Sequence, residues 1–241
     1  CEDWYDPAAK KERVLRGGSS ASDSGLVLLS SFRQHYGPDY RRPSFRCVLT
    51  NGPDTGEDDF STRPNSPEAA AAIEAAIRKE AGKPTGELTR EDLEKIRGLA
   101  FHGEQITDVT PLAKLTNLKH LNLTNNKIID VTSLQKLKNL EGLLLGRNQI
   151  TDLTPLAHLT KLTTLHIDVN EQITDIASLA ALTNLRNLNL DYCPVNDFRP
   201  LFKLVNLTSL HLGNNPNLTK AQIEELQKAL PNCKITHDAT K

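Results

Sequence analysis

From position 96 onward the apolar residues fall in one repeating order. A leading aliphatic residue stands at Ile96, Leu118, Leu140, Leu162, Leu185 and Leu207, at intervals of 22, 22, 22, 23 and 22 residues. Behind each leader runs L-x-x-L-x-L-x-x-N-x-I, as in Leu118, Leu121, Leu123, Asn126 and Ile128, then Leu140, Leu143, Leu145, Asn148 and Ile150. Alternate residues of a strand share a face, so the central L-x-L predicts a short strand with two side chains turned inward. The predicted strands are Leu99–Phe101, Leu121–Leu123, Leu143–Leu145, Leu165–Ile167, Leu188–Leu190 and Leu210–Leu212. Ile128, Val131, Leu134 and Leu137 close the opposite side of their coil. No unit buries these residues alone; stacked neighbours do, at roughly 1.5–3 kcal/mol per aliphatic side chain.

This is the leucine-rich-repeat pattern. It implies an α/β fold: a solenoid with a curved parallel sheet and helical caps. The asparagine column reads Glu104, Asn126, Asn148, Asn170, Cys193 and Asn215. In this repeat type the Asn side chain lies inside the turn after the strand and satisfies buried backbone groups. Cys193 fits the column as a small, weak donor, and Glu104 suits a first, cap-like repeat. Upstream, Ser66-Pro67 reads as an N-cap followed by N1, with Ala69, Ala72, Ile73, Ala76 and Ile77 at helical spacing until Gly82. A second helical start is Thr89, with Asp92 three residues on. Downstream, Thr219 to Leu230 reads as an amphipathic helix with Ile223, Leu226, Ala229 and Leu230 inward, ended by Pro231.

Composition divides the chain. Seven of the eleven aromatic residues, from Trp4 to Phe60, lie in the first quarter. Residues 51–66 (NGPDTGEDDFSTRPNS) have almost nothing to bury and read as a linker. The expected parts are 1–50, the linker 51–66, a helical cap 67–95 and the repeats 96–235. Lys plus Arg is 29 and Asp plus Glu is 30, a net charge of −1. That balance argues against a dedicated nucleic-acid binder, and no stretch approaches the roughly 20 apolar residues of a membrane span. Cys1, Cys47, Cys193 and Cys233 are far apart, which indicates neither a zinc site nor a disulfide framework. No cofactor is expected, a monomer is, and the compartment is left open.

Two resemblances add to this reading. LTNLKHLNLTNNKIIDVTSL and LTNLRNLNL resemble the internalin-type bacterial repeats, PEAAAAIEAAIRKEAGKPTGELTREDLEKI resembles the cap before them, and AQIEELQKALPNCKI is similar to terminal bacterial repeats. This likeness implies a solenoid that binds other proteins. In the first 50 residues, CEDWYD, RVLRGGS and FRCV resemble the C-terminal part of the formylglycine-generating-enzyme, or sulfatase-modifying-factor, family. There CEDWYD lies inside the domain, which implies an upstream portion; a lipidated Cys1 is the competing reading. The family's oxidising members hold copper with two cysteine thiolates after the GGS motif. Here that segment is SASDSGLVLLSSFRQ, with Ser22 near the first cysteine's place and no cysteine before Cys47. Serine does not replace a thiolate for a soft metal, and Cys47 fits the separate FRC motif, a packing position. No catalytic residue is therefore assigned.

Residues alternating with the core leucines point to the concave face, where such solenoids meet partners. The expected contact patch is Leu144, Arg147, His166, Asp168, Asp191, Tyr192 and His211. Arg and Tyr are types favoured at interaction hot spots. His166, Asp168, Asp191 and His211 together suggest no metal site, since polar residues gather on a solvated sheet by accident. The triplets at Asn122, Asn206 and Asn217 match the glycosylation pattern, as expected in a repeat rich in Asn and Thr. The expected function is a protein-interaction module. The alternative is the recruitment part of a larger sulfatase-modifying enzyme.

Overall fold

The computed structural model describes residues 64–239, and nearer the start three short strands: β1 (Glu2–Tyr5), β2 (Arg13–Arg16) and β3 (Cys47–Val48). These strands pair antiparallel in the order β1-β2-β3. They carry the CEDWYD, RVLRGGS and FRCV motifs. The roles expected of the Ser22 and Cys47 side chains lie outside the described residues. The chain divides into two compact units, Cys1–Asp59 and Phe60–Lys241.

The second unit opens with α1 (Pro67–Glu80), where Ser66 Oγ accepts from Ala69 N and Pro67 occupies the first turn. Ala69, Ile73 and Ile77 are buried, and Gly82 follows at φ +65, where a left-handed residue ends a helix without a side-chain clash. In α2 (Arg90–Glu94) Thr89 and Asp92 form the expected capping box. The Asp92 carboxyl is held well below its usual pKa range, first by the Lys83 ammonium at 2.8 Å and then by Thr89. Asn65, which the sequence leaves at the end of the linker, acts on the first coil. Its Oδ1 accepts from Thr107 N and Asp108 N at 2.9 and 3.0 Å, and its Nδ2 donates to Asp108 O.

Seven parallel strands follow in sequence order: β4 (Gly98–Ala100), β5 (His120–Asn122), β6 (Gly142–Leu144), β7 (Thr164–His166), β8 (Asn187–Asn189), β9 (Ser209–His211) and β10 (Lys234–Thr236). Each begins one residue before the expected L-x-L. The backbone ladder nevertheless runs on through its second leucine: Leu123 N donates to Leu144 O, and Leu145 N to His166 O, both at 2.7 Å. β10 was not expected, because Lys234–Thr236 carries no leucine. It follows α3 (Lys220–Ala229), whose Thr219 forms a capping box with Gln222. Cys233 is buried there, and its N–H donates to Leu230 O as Leu207 N–H does to Leu204 O, so it stands where other coils have their leading leucine.

The return side of each coil is a 3-10 helix, at Thr110–Lys114, Thr132–Lys136, Thr154–His158, Ala177–Ala181 and Arg199–Lys203. Its start is fixed by an aspartate two residues upstream of the first free N–H. Asp108, Asp130, Asp152, Asp175 and Asp197 accept from the N–H of Thr110, Thr132, Thr154, Ala177 and Arg199 at 2.7–3.0 Å. Such short-range acceptance is the natural use of Asp at a turn. A second amide row, unassigned from the sequence, binds coil to coil on the way back to the sheet. Asn139, Asn184 and Asn206 donate to Thr116 O, Thr160 O and Thr183 O of the preceding coil, and Asn117 of the first coil donates to Glu94 O of α2.

The inner ladder does more than fill its own turn. Asn148 Nδ2 donates to Leu145 O of its own coil and Leu123 O of the coil before, while its Oδ1 accepts from Ile128 N at 3.1 Å. Asn126 serves Leu123 O, Phe101 O and Ile106 N in the same way. Each asparagine is therefore a bolt between two coils. Glu104 has no such part: it is exposed, and Gln105 beside it takes φ +57. The first coil has no earlier neighbour to be bolted to, and Asn65 supplies the amide on its loop instead.

Cys193 keeps only the donor half, with Sγ 3.3 Å from Ile167 O. Burial pushes its thiol up to about 12, so it stays protonated and able to donate at neutral pH. The extra residue of the preceding 23-residue repeat provides for the missing acceptor. There Ile173 N turns back onto Asn170 O at 3.0 Å, where its counterparts Ile128 N and Ile150 N use the next asparagine. Pro194 produces a similar turn in the fifth coil, with Val195 N bonded to Cys193 O, and buried Asn215 Oδ1 is left without a partner.

Candidate functional site

The strand face of the sheet carries three columns between the buried leucines. In the first, Leu144, His166 and His211 are half-buried. Leu144 belongs to a groove of about 600 Å³ that it shares with Ala76 and Lys79 of α1 and with Ala100, His120 and Asn122. Its floor is Gly142, over which the His120 ring folds: a side-chain carbon built on Gly142 would lie 3.0 Å from Nδ1. His166 sits nearer the middle of the sheet, and burial holds its pKa below the usual histidine value, against the opposing pull of Asp168. The His211 ring is fixed at both nitrogens, by Thr236 Oγ1 at 2.9 Å and Ser209 Oγ at 3.1 Å.

In the second column two carboxylates lean over glycines on the neighbouring coil. Asp191 Oδ1 accepts from Gly213 N at 2.6 Å. Asp168 covers Gly146 so closely that a methyl group there would meet Oδ1 at 2.6 Å. Each carboxylate has its own resting place, so His166, Asp168, Asp191 and His211 do not converge. Among the described residues no three His, Cys, Asp or Glu side chains lie close enough to hold a metal ion together.

The third column is where the backbone speaks most clearly. Gly103, Asn125, Arg147, Val169, Tyr192 and Asn214 all have positive φ, between +53 and +76. In the central three the N–H groups continue the ladder, Arg147 N to Asp168 O, Val169 N to Asp191 O and Tyr192 N to Gly213 O, at 2.8–2.9 Å. Glycine and asparagine reach this left-handed conformation readily. Other residues cost roughly 1–2 kcal/mol, and a β-branched side chain is the worst placed. The end coils obey the rule with Gly103, Asn125 and Asn214; the three central coils break it with Arg147, Val169 and Tyr192. Tyr192 is 52% exposed, and Arg147, two coils earlier in the same column, is exposed too. We expect Val169→Asn to raise stability by about 1 kcal/mol, read as a higher urea midpoint with an unchanged slope.

The expected patch is thus resolved into three places: Leu144 in the groove, His166 and His211 on mid-sheet with Asp168 and Asp191 alongside, and Arg147 and Tyr192 on the strained row. Val169, His120 and the groove wall from α1 were not in it. Val169 stands out in the sequence as an apolar residue on this face where water is expected; its left-handed backbone is what the structure adds.

The model described as Leucine Rich repeats matches twice, at residues 96–136 and 138–181. Residues 96–181 are leucine-rich repeats. The fold is similar to an internalin (inlF) from Listeria monocytogenes, with 28% identity and a TM-score of 0.57 over 71% of this chain and 57% of that one. Internalin C2 of the same organism matches with 28% identity and a TM-score of 0.51, over 69% of this chain and 92% of that one. A leucine-rich-repeat protein of Leptospira interrogans gives 26% identity and a TM-score of 0.56, over 60% and 38%. The chain therefore spans little more than half the length of the first of these. No curated protein matches the sequence. Among the described residues no helix is long and apolar enough to cross a membrane. These matches lend no support to the resemblance of residues 1–50 to the formylglycine-generating-enzyme family.

Proposed function

We propose that the repeat unit is a non-enzymatic module that binds a protein partner, with the central coils of the strand face as the contact surface. The observation that carries this is the run Arg147, Val169, Tyr192 in three successive coils. Residues held in unfavourable backbone conformations persist where something other than stability keeps them, and Arg and Tyr are the side chains most often found at binding hot spots. Internalin-like repeats are in general protein-interaction modules, which agrees. The strand face is made rigid by two amide ladders, so a partner meets a surface that needs little ordering. The recruitment reading rests on the motifs of the first 50 residues alone.

Photo-crosslinking at single positions tests the proposal. A benzophenone amino acid in place of Tyr192 is expected to give a discrete adduct in extracts of the source cell or its surroundings. The same group in place of Glu224, which is exposed on α3 away from the strand face, is expected to give none. Equal labelling from both positions, or none from Tyr192, would count against the strand face.

A further inference from the structure

We infer that the edge of the solenoid where the chain re-enters the sheet is a separate binding site for a linear anionic polymer bearing sulfate or phosphate charges. Each coil reaches this edge through four positions: the last residue of the 3-10 helix, the two residues that precede the next leading aliphatic residue or its replacement, and the one that follows it. Over the stack, the flanks of Ile96 included, these columns hold eight lysines and two arginines against two carboxylates, Glu94, which pairs with Arg90, and Glu141, which pairs with Lys119, both at 2.7 Å. The near-zero net charge hides this, because the opposite edge carries the Asp108, Asp130, Asp152, Asp175 and Asp197 row.

The cations are held in line. Lys119 N donates to Arg97 O, Glu141 N to Lys119 O, Thr163 N to Glu141 O, Arg186 N to Thr163 O, and so on to Lys234, all at 2.8–2.9 Å. One coil follows another at about the 4.8 Å strand spacing. This row carries Arg97, Lys119, Arg186 and Lys234, and Lys114, Lys136, Lys138, Lys161 and Lys203 of the adjoining columns add to it, so positive charge lies along the length of the stack. Lys114, Lys119, Lys136, Lys138, Lys161 and Lys203 are all exposed. A cation at a helix end has a stabilising reason of its own, which covers Lys114, Lys136 and Lys203. It does not cover Lys119, Lys138 or Lys161.

The residue type selects the ligand. Lysine is depleted in protein interfaces, and bidentate carboxylate recognition favours arginine. A lysine row suits closely spaced point charges. Single-stranded nucleic acid calls for aromatic stacking platforms; among the described residues these columns hold no Phe, Tyr or Trp and a single exposed imidazole, His158, and Phe202 beside them is half-buried. The edge is distinct from the strained row, so it adds a second ligand to the proposed module and does not depend on that reading.

The test uses the whole chain with labelled heparin, labelled polyphosphate and a labelled oligodeoxythymidine, followed by fluorescence anisotropy. Heparin or polyphosphate is expected to bind at about 50 mM salt and about tenfold or more weakly at about 300 mM. The charge reversal K136E/K138E is expected to weaken binding at least about fivefold. K127E/K220E, the same change at exposed positions off this edge, is expected to leave it within about twofold. Which of the two polymers binds tighter identifies the charge as sulfate or phosphate. No binding at low salt, equal loss in both double variants, unchanged binding in K136E/K138E, or tighter binding of the oligonucleotide would each overturn the inference.

Discussion

Replacing Asn148 by alanine is expected to lower the unfolding free energy of the repeat unit by about 2–4 kcal/mol. Strand-end carbonyls in the middle coils accept twice: Leu123 O receives the amides of Asn126 and Asn148, and Leu145 O those of Asn148 and Asn170. Loss of the Asn148 side chain leaves both carbonyls one partner, so their share of the cost is modest. Ile128 N is different. Its acceptor is Asn148 Oδ1 alone, in a buried turn, and an orphaned N–H there carries a full desolvation penalty of about 1–3 kcal/mol. Urea denaturation followed by circular dichroism measures the sum. Asn215→Ala should cost clearly less, since Asn215 Oδ1 already lacks a donor. Equal costs at the two positions would show that the asparagines only fill space.

Leu145→Ala is expected to cost about 2–5 kcal/mol. Leu145 is fully buried, as are Leu123 and Ile167 on either side of it in the same row. A cavity in the middle of a stack weakens two interfaces at once, because a repeat contacts only its neighbours. Thermal and urea melts should both shift, and Val205→Ala, at an exposed site, should move neither by more than about 0.5 kcal/mol. A small effect at Leu145 would mean that the rungs are not packed against one another as described.

How far the sequence could be read follows from what repeats. Residues buried by every coil recur every 22 or 23 positions, so the leucine rows, the inner asparagine ladder and the strand face were legible from spacing alone. The caps were legible for another reason: Ser66-Pro67, Thr89 with Asp92, and the amphipathic run Thr219 to Leu230 ended by Pro231 are local signals that need no tertiary knowledge. What escaped were contacts made once. Asn65 bonds to residues more than 40 positions away, and β10 pairs through its backbone without a leucine to mark it. Glu104 departs from the asparagine column in the sequence, and the structure leaves it exposed and outside the ladder. The second asparagine row recurs, and was missed because exposed Asn in an Asn-rich repeat looks like solubilising surface. At the candidate site the columns were legible but their backbone was not: a left-handed φ leaves no trace in a sequence unless Gly or Asn is chosen for it, and Arg147, Val169 and Tyr192 were not.

The measurement closest to the heart of this reading is native-state hydrogen exchange at Ile106, Ile128 and Ile150, whose N–H groups are each donated to the asparagine of the following coil. We expect all three amides to exchange only through global unfolding of the repeat unit, and Asn148→Ala to release Ile128 while leaving Ile106 protected. Exchange of these amides at the rate of an unfolded chain, or uniform loss of protection in the variant, would contradict a stack of coils bolted pairwise by buried amides.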